Sequence, residues 1–452
     1  MDSPVTEHEA WRRLWRGPRD VPSAPLDEET RRSQSLPRTI APARDGLRQP
    51  LIFEPALKQF HNAYRAGEPR FADDESATAW WRARRTALDT VLTAVADGPY
   101  APHLVLRGGV LMTQWFGSQA REPGDIDLVV TPAEWAADGP ETARLLREIA
   151  DAAAAASGPA AIDAAGAVVE EIWTYDRVPG RRMLLPWTAP GTPGGTVQID
   201  VVFNEPLPEP PTWTDLRPLG QGPGCRLQTV SPGLSLAWKL MWLLTDRHPM
   251  GKDLYDAVLL AEREPPNHPL IRDAFLTQPE ADTLRPPGRW WLHALGPVEM
   301  EVEWEHFAAE YPRLAGDGFD PGPRHDLTSR LATALEAFLA TAEPPGEAAH
   351  RRWARWLAGP VAEARAAAGP VEAALGHWAA HGPCGAAAAV VILRELAGPE
   401  RLGPEDALRA VVAGDEDAWT FLRVRPERWA PVLAMVADDD GPAGGAGRGY
   451  GG

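Results

Sequence analysis

Residues 104–130 read LVLRGGVLMTQWFGSQAREPGDIDLVV, and this stretch decides the fold. Its first apolar run ends at Gly108 and Gly109, which predicts a buried strand that turns at once into a helix. A second strand, DIDLVV, carries Asp125 and Asp127. Because residues i and i+2 of a strand point to the same face, the two carboxylates project together. Two like charges so close are costly unless a cation lies between them.

A third acid lies farther along, in the apolar run TVQIDVVF of residues 196–203. Asp200 stands there between Ile199 and Val201, and burying a lone carboxylate is expensive. Asp200 therefore either faces solvent at a sheet edge or shares a cation with the other acids. Three acids on two strands would make an oxygen-rich site suited to Mg²⁺ or Mn²⁺. The glycine pair would let backbone amides approach a phosphate at the helix start, although a tight turn alone would also explain it.

The pattern around these strands predicts an α/β (α+β) sheet domain. Three helices are expected, at residues 76–96 with Ser76 as N-cap, at 110–117 and at 132–155. A hairpin is expected over residues 167–187, joined at Pro179 and Gly180. Ser231 should cap a further helix that Pro249 and Gly251 end, and residues 252–264 should form the next one.

The chain has 452 residues, enough for two or three domains. We expect four segments: an irregular N-terminal arm with a short helix within residues 51–70, a sheet domain, an α-helical domain and a disordered tail. Their predicted ranges are 1–75, 76–265, 266–436 and 437–452.

Composition excludes several classes of protein. The net charge of −18 argues against broad, non-specific binding of nucleic acid, which needs a basic surface. Cys225 and Cys384 show no CxxC spacing, which speaks against a disulfide framework and a zinc site. With no signal peptide and no apolar run long enough for a membrane, we expect a cytoplasmic protein. Only three lysines occur, Lys58, Lys239 and Lys252, and two of them share one short stretch, which hints at a need for a compact ammonium there.

The joint order of these motifs resembles the polymerase-β-like nucleotidyltransferase superfamily. The fuller set LRGG, REPGDIDL, IDVVF, WKL and KDLYD is similar to the AbiEii/AbiGii-type toxin nucleotidyltransferases over roughly residues 80–265. Many superfamily members have Gly-Ser where this chain has Gly108-Gly109, which weakens the wider resemblance more than the narrow one. The resemblance implies a mixed sheet flanked by helices and followed by an α-helical C-terminal domain.

The resemblance also implies a function. Asp125, Asp127 and Asp200 would hold Mg²⁺ or Mn²⁺, and the nucleotide would contact the residues Gly108, Gly109, Arg121, Lys239 and Asp253. The enzyme would move a nucleoside monophosphate from an NTP to an acceptor hydroxyl, such as the 3′ end of a tRNA or another RNA. It would be the toxin of a toxin–antitoxin or phage-defence pair, with a cognate antitoxin as partner.

Alternatives stay open at this point. Lys239 meets either nucleotide phosphate or a structural partner such as Asp246 or Asp253, and Asp253 could instead be a helix cap. Arg121 contacts the acids, a phosphate, or a surface partner. Arginine clusters with nearby tryptophans are expected to be solvated helix or hairpin faces rather than base-stacking surfaces, namely Arg82, Arg84 and Arg85 with Trp80 and Trp81; Arg177, Arg181 and Arg182; and Arg351, Arg352 and Arg355 with Trp353 and Trp356. The acceptor could also be a protein side chain or a small molecule, or the chain could be a non-catalytic relative.

Overall fold

A computed structural model describes residues 11, 20–43, 47–156, 158–173, 178–246, 248–277, 283–302, 304–311, 314, 326–367, 375–415 and 417–437. Two sequence predictions, those on Arg177 and on the tail at 438–452, lie outside these residues. The chain divides into two compact units, the first of residues 1–239, 248–263 and 298–329, the second of 240–247, 264–297 and 330–452. The predicted domain boundaries stay a prediction. The first unit includes the segment before residue 76, which the sequence analysis treated as a separate arm.

In its described residues, the first unit is built on a mixed sheet of eight strands. In chain order after a separate two-stranded pair (β1 Leu51–Phe53, β2 Tyr64–Ala66), the strands are β3 Leu104–Arg107, β4 Ile126–Val130, β5 Ala161–Ile162, β6 Val168–Trp173, β7 Pro179–Ala189, β8 Thr192–Val202, β9 Thr212–Leu216 and β10 Cys225–Thr229. Their order across the sheet is β5-β7-β8-β4-β3-β10-β9, and β6 also pairs with β7. Strands β4 and β8 are parallel, whereas β3 runs antiparallel to β4.

The described helices of the first unit begin with α1 Glu28–Ser33, α2 Asp74–Asp97, α3 Gly109–Phe116 and α4 Pro140–Ala155. They continue with α5 Pro232–Thr245, which runs on into the second unit's residues, and α6 Gly251–Arg263. Helix α2 contacts β8 and β10, and α3 contacts β3 and β4, so helices flank the sheet. The predicted cap of α5 is confirmed, since the Ser231 hydroxyl accepts a hydrogen bond from the Leu234 amide at 3.0 Å.

Four local predictions are wrong. Residues 51–70 form the β1–β2 pair around a short 3₁₀ turn instead of a helix, because Leu51 and Ile52 are buried next to each other in an extended segment. Helix α2 is capped by Asp73, whose carboxylate accepts from the Ser76 amide, so Ser76 lies inside the first turn. Helix α4 begins eight residues later than expected, at Pro140, a residue suited to the first helical position.

The fourth error concerns the hairpin of β6 and β7. Pro179 and Gly180 lie within β7 and pair with Trp173 and Ile172 instead of forming the turn. Proline is tolerated at the first residue of a strand. A Cβ on Gly180 would lie 2.8 Å from a side-chain carbon of Ile172, so glycine lets the isoleucine pack over the strand.

The described residues of the second unit contain helices and no strand. Two short helices, α9 Val298–Glu301 and α10 Trp304–Glu310, belong to the first unit. The second unit contains the end of α5 and the helices α7 His268–Thr277, α8 Trp290–Leu295, α11 Asp326–Ala342 (whose first residues belong to the first unit), α12 Ala349–Trp356, α13 Ala358–Ala366, α14 Gly382–Ala397, α15 Pro404–Gly414, α16 Thr420–Arg423 and α17 Trp429–Val436. Helix α14 is buried on every side over residues 385–394 and contacts α15 and α17, as expected of a central helix. The mixed sheet flanked by helices and the helical C-terminal region predicted from the sequence are both present. None of the helices in the described ranges has the length and apolarity that a membrane span requires.

Candidate active site

Strands β4 and β8 bring three carboxylates together. Asp127 and Asp200 are directly opposite each other in the parallel pair, and Asp125 immediately precedes β4. One carboxylate oxygen from each aspartate lies within 4.8 Å of the others. Because the strands are parallel and in this register, the side chains share one face of the sheet. The structure therefore contains the cluster on which the sequence-based hypothesis depended, and the role of the cluster stays a proposal.

Burial and neighbouring charges shift the pKa values of the three aspartates. Burial, with the charges of Asp125 and Asp200, raises the pKa of Asp127 to about 7. Burial also raises the pKa of Asp200, against the lowering effect of Arg182. At Asp125, burial is outweighed by the positive charges of Lys252 and of three arginines, and the pKa is lowered. An all-oxygen cluster that resists carrying its full negative charge fits a hard divalent cation such as Mg²⁺ or Mn²⁺.

The glycine pair lies directly beside the cluster. Gly108 has a φ of +77°, a conformation that disfavours L side chains, and a Cβ there would lie 2.1 Å from Oδ2 of Asp127. Helix α3 begins at Gly109, so its N-terminal end lies next to the carboxylates. A Cβ on Gly109 would in turn lie 3.2 Å from an Nη atom of Arg121. Glycine is therefore required at position 108 for the approach of Asp127; the predicted contact of both glycines with a nucleotide stays a prediction.

Arg182 holds one of the three acids. It lies opposite Asp200 in the antiparallel β7–β8 pair and donates to both carboxylate oxygens, at 2.9 and 2.7 Å. Both side chains are buried. The expectation that Arg182 belongs to a solvated face is wrong, because its guanidinium is drawn into the sheet face by the buried carboxylate. Carboxylate oxygens have lone pairs to spare, so this pairing leaves Asp200 able to accept a metal as well.

The N-terminal segment reaches this cluster through Glu54. The remaining Nη of Arg182 lies 3.3 Å from Oε2 of Glu54, which also accepts from Nε of Arg65 at 3.0 Å. Arg65 further pairs with Glu310. Although burial alone would raise it, the pKa of Glu54 is lowered to about 2 by Arg182, Lys252 and Arg65. Sequence analysis missed Glu54 and Arg65, because nothing local marks a residue that acts more than a hundred positions away.

Arg121, Lys239 and Asp253 form part of a second buried group. Arg121 donates to both oxygens of Asp256 at 3.0–3.1 Å and to the hydroxyl of Tyr311 at 3.1 Å. The alternative that Arg121 forms a salt bridge at the surface is wrong, because Arg121 is only 3% exposed. Nζ of Lys239 lies 2.6 Å from Oδ1 of Asp253 and 3.6 Å from Oδ2 of Asp256. The structural pair that the sequence left open for Lys239 is thus present; contact of Lys239, Arg121 or Asp253 with a nucleotide stays a prediction.

Lys252, one residue before Asp253, was not predicted as a site residue. Its positive charge acts on Asp125, Asp127 and Glu54. Burial would lower its pKa, but Glu54 and Asp125 outweigh this effect and raise it. The sequence signal was available, since the scarcity of lysine in the chain marked this stretch.

Arg84 and Arg85, in helix α2, bind the loop that precedes Asp125. Arg84 is buried and donates to the carbonyl oxygens of Pro123 and Gly124, at 2.7 and 2.8 Å, in the loop that leads to Asp125. Arg85 makes two hydrogen bonds of 2.6 Å to Glu122 in the same loop. The solvated-face interpretation is therefore wrong for Arg84. The tryptophans Trp80, Trp81, Trp353 and Trp356 are all buried, which leaves no base-stacking surface among them.

Comparison with known proteins gives one family. The model described as "Nucleotidyl transferase AbiEii toxin, Type IV TA system" matches residues 90–341. No curated protein matches the chain. A solved structure, the MenT4 nucleotidyltransferase toxin from Mycobacterium tuberculosis H37Rv, is 15% identical and covers 59% of this chain and 97% of its own, with a TM-score of 0.36, a similarity too distant to bear on mechanism.

Proposed function

Since the chain belongs to the AbiEii family of nucleotidyltransferase toxins, we propose that it moves a nucleoside monophosphate from an NTP to an acceptor hydroxyl and releases pyrophosphate. The observation that carries this proposal is the convergence of Asp125, Asp127 and Asp200 within 4.8 Å beside the N-terminal end of a helix. Phosphoryl transfer of this kind relies on positioning and on electrostatic stabilisation, for which oxygen ligands to a divalent cation are well suited.

The three aspartates would hold Mg²⁺ or Mn²⁺, which when bound would neutralise charge on the triphosphate and acidify the acceptor hydroxyl. The chain's own residues prepare this site. Arg182 orients Asp200, and Arg84 fixes the loop before Asp125. Gly108 permits the close approach of Asp127 to the backbone, and the amides at the start of α3 would face the nucleotide phosphates.

For the acceptor we propose RNA, with a tRNA 3′ end as the first candidate, and for the biological role a toxin paired with a cognate antitoxin in the cytoplasm. The family description supports the toxin role. The net charge of −18 favours a defined acceptor contact over general affinity for nucleic acid. A protein side chain or small molecule as acceptor is the second candidate, and the acidic net charge favours it. The predicted domain ranges, with catalysis in residues 76–265, are part of this proposal.

Incubation with each α-³²P-labelled NTP, Mg²⁺ and total RNA tests the proposal. Label should appear on RNA with the wild type and disappear with Asp127→Ala. Label on protein or on a small hydroxyl compound would show that the acceptor is a protein side chain or a small molecule and not RNA. Labelling that persists in Asp127→Ala would show that the carboxylate cluster is not the catalytic centre. Asp151→Ala, on an exposed position of α4, is the matched control and should label as the wild type does.

A further inference from the structure

Lys239 in α5 and Lys252 in α6 lie close in sequence, and their surroundings differ. Lys239 is 6% exposed and forms a 2.6 Å ion pair with Asp253. Its charge is therefore already compensated, and a phosphate would have to compete with a buried carboxylate for it. Lys252 makes no ion pair with any residue of the described ranges, although Asp125 and Glu54 lie near enough to act on its charge.

Two carboxylates near Lys252, those of Glu54 and Glu310, are engaged by arginines. Glu54 is bound by Arg65 and by Arg182, and Glu310 is bound by Arg65. Lys252 lies in the first turn of α6 and lines a small surface cavity together with Phe53, His248 and Glu310. Lys252 thus lines a cavity, its positive charge acts on Asp125 and Asp127, and no anion of the described residues forms an ion pair with it.

We propose that Lys252 binds the β- and γ-phosphates of the incoming NTP, and this inference rests on the proposed nucleotidyltransferase function. A polyphosphate whose α-phosphate lies at the aspartates needs a cation for its remaining negative charge, and a compact ammonium suits a point contact to phosphate. Lys239, by contrast, supports the site through Asp253. The assignment gives to Lys252 the phosphate contact that the family resemblance implied for Lys239.

Binding of inorganic tripolyphosphate with Mn²⁺, and of Mn²⁺ alone, tests this assignment by calorimetry on the full chain. Lys252→Met should weaken tripolyphosphate binding about ten- to a hundredfold, the usual effect of losing a charge-assisted contact. It should leave Mn²⁺ binding unchanged or tighter, because a positive charge beside Asp125 is removed. Lys252→Arg should recover part of the loss. Lys58→Met, at an exposed lysine of the same unit, is the matched control and should bind both as the wild type does.

Each outcome decides the question. If Lys252→Met keeps wild-type affinity for tripolyphosphate, or if the wild type does not bind it, the inference is wrong. If Mn²⁺ binding weakens together with tripolyphosphate binding, Lys252 is a support of the aspartate cluster and not a phosphate ligand. If the wild type binds tripolyphosphate through Lys252 yet transfers no nucleotide, the phosphate site stands and the proposed function fails by itself.

Discussion

Asp127→Asn should stabilise the metal-free protein while it abolishes nucleotide transfer. The pKa of Asp127 in the folded chain is about 7, against 3.8 for the unperturbed group, because burial and the charges of Asp125 and Asp200 oppose its ionisation. The folded state therefore holds this proton more tightly than the unfolded state does. Ionisation of Asp127 consequently costs stability as the pH rises from about 4 to about 7, and the full cost is present above that range.

The size of the effect follows from the two pKa values. A difference of about three pKa units at roughly 1.36 kcal/mol per unit gives about 4 kcal/mol near pH 8, an upper value because the three aspartates share their charge. Near pH 5 the folded carboxyl is already protonated, and the cost falls to about 2 kcal/mol. Because asparagine carries no charge at either pH, the stability gap between Asp127→Asn and the wild type should widen by about 2–3 kcal/mol between pH 5 and pH 8.

Urea unfolding in EDTA at both pH values measures this gap, with Asp151→Asn as a control at an exposed aspartate that should show no such widening. Adding Mg²⁺ at pH 8 should then stabilise the wild type more than the variant, since only the wild type keeps all three ligands. A gap that stays constant between pH 5 and pH 8 would refute the electrostatic reasoning. So would equal stabilisation of both proteins by the metal.

Three further outcomes are expected. Gly108→Ala, which meets both an unfavourable φ and the neighbouring carboxylate, should lose about 1–3 kcal/mol in thermal unfolding and most of its transferase activity; an active, fully stable variant would contradict this. Lys239→Met should cost about 3–5 kcal/mol in urea unfolding, and the double variant with Asp253→Leu should regain much of it, which additive losses would disprove. Glu54→Gln should lower kcat about tenfold with little change in KM for NTP, since it loosens Arg182 and not the nucleotide contacts; steady-state kinetics showing a change confined to KM would count against it.

The aspartate cluster could be predicted from sequence because its signals are local. Asp125 and Asp127 alternate along one strand, and Asp200 interrupts an apolar run, so strand periodicity alone places each carboxylate on a face. That the two strands are adjacent, parallel and in register is a tertiary fact, and here the resemblance to a known family supplied what periodicity could not.

Elements and partners that depend on distant chain contacts were missed. Strand β9 is mostly exposed at the edge of the sheet, so its segment TWTDL carries little apolar signal, and β10 beside it was missed as well. Arg182 could be paired with Asp200 only after the register of β7 and β8 was known. Because it lies among other arginines, Arg182 was predicted to belong to a solvated face. Its burial depends on the neighbouring strands of the sheet and not on local composition.

The candidate site also draws on chain outside the segment that the family model matches. Residues 90–341 contain the three aspartates, both lysines and Arg182. Glu54 and Arg65 precede that segment, and through them the guanidinium that orients Asp200 acquires a second carboxylate partner. A buried arginine between two acids has less freedom to leave Asp200 than one bound to Asp200 alone, since departure would remove the arginine partner of Asp200 and one of the two arginine partners of Glu54. The matched segment thus supplies the groups that would contact metal and nucleotide, whereas the N-terminal segment helps to fix their charge balance.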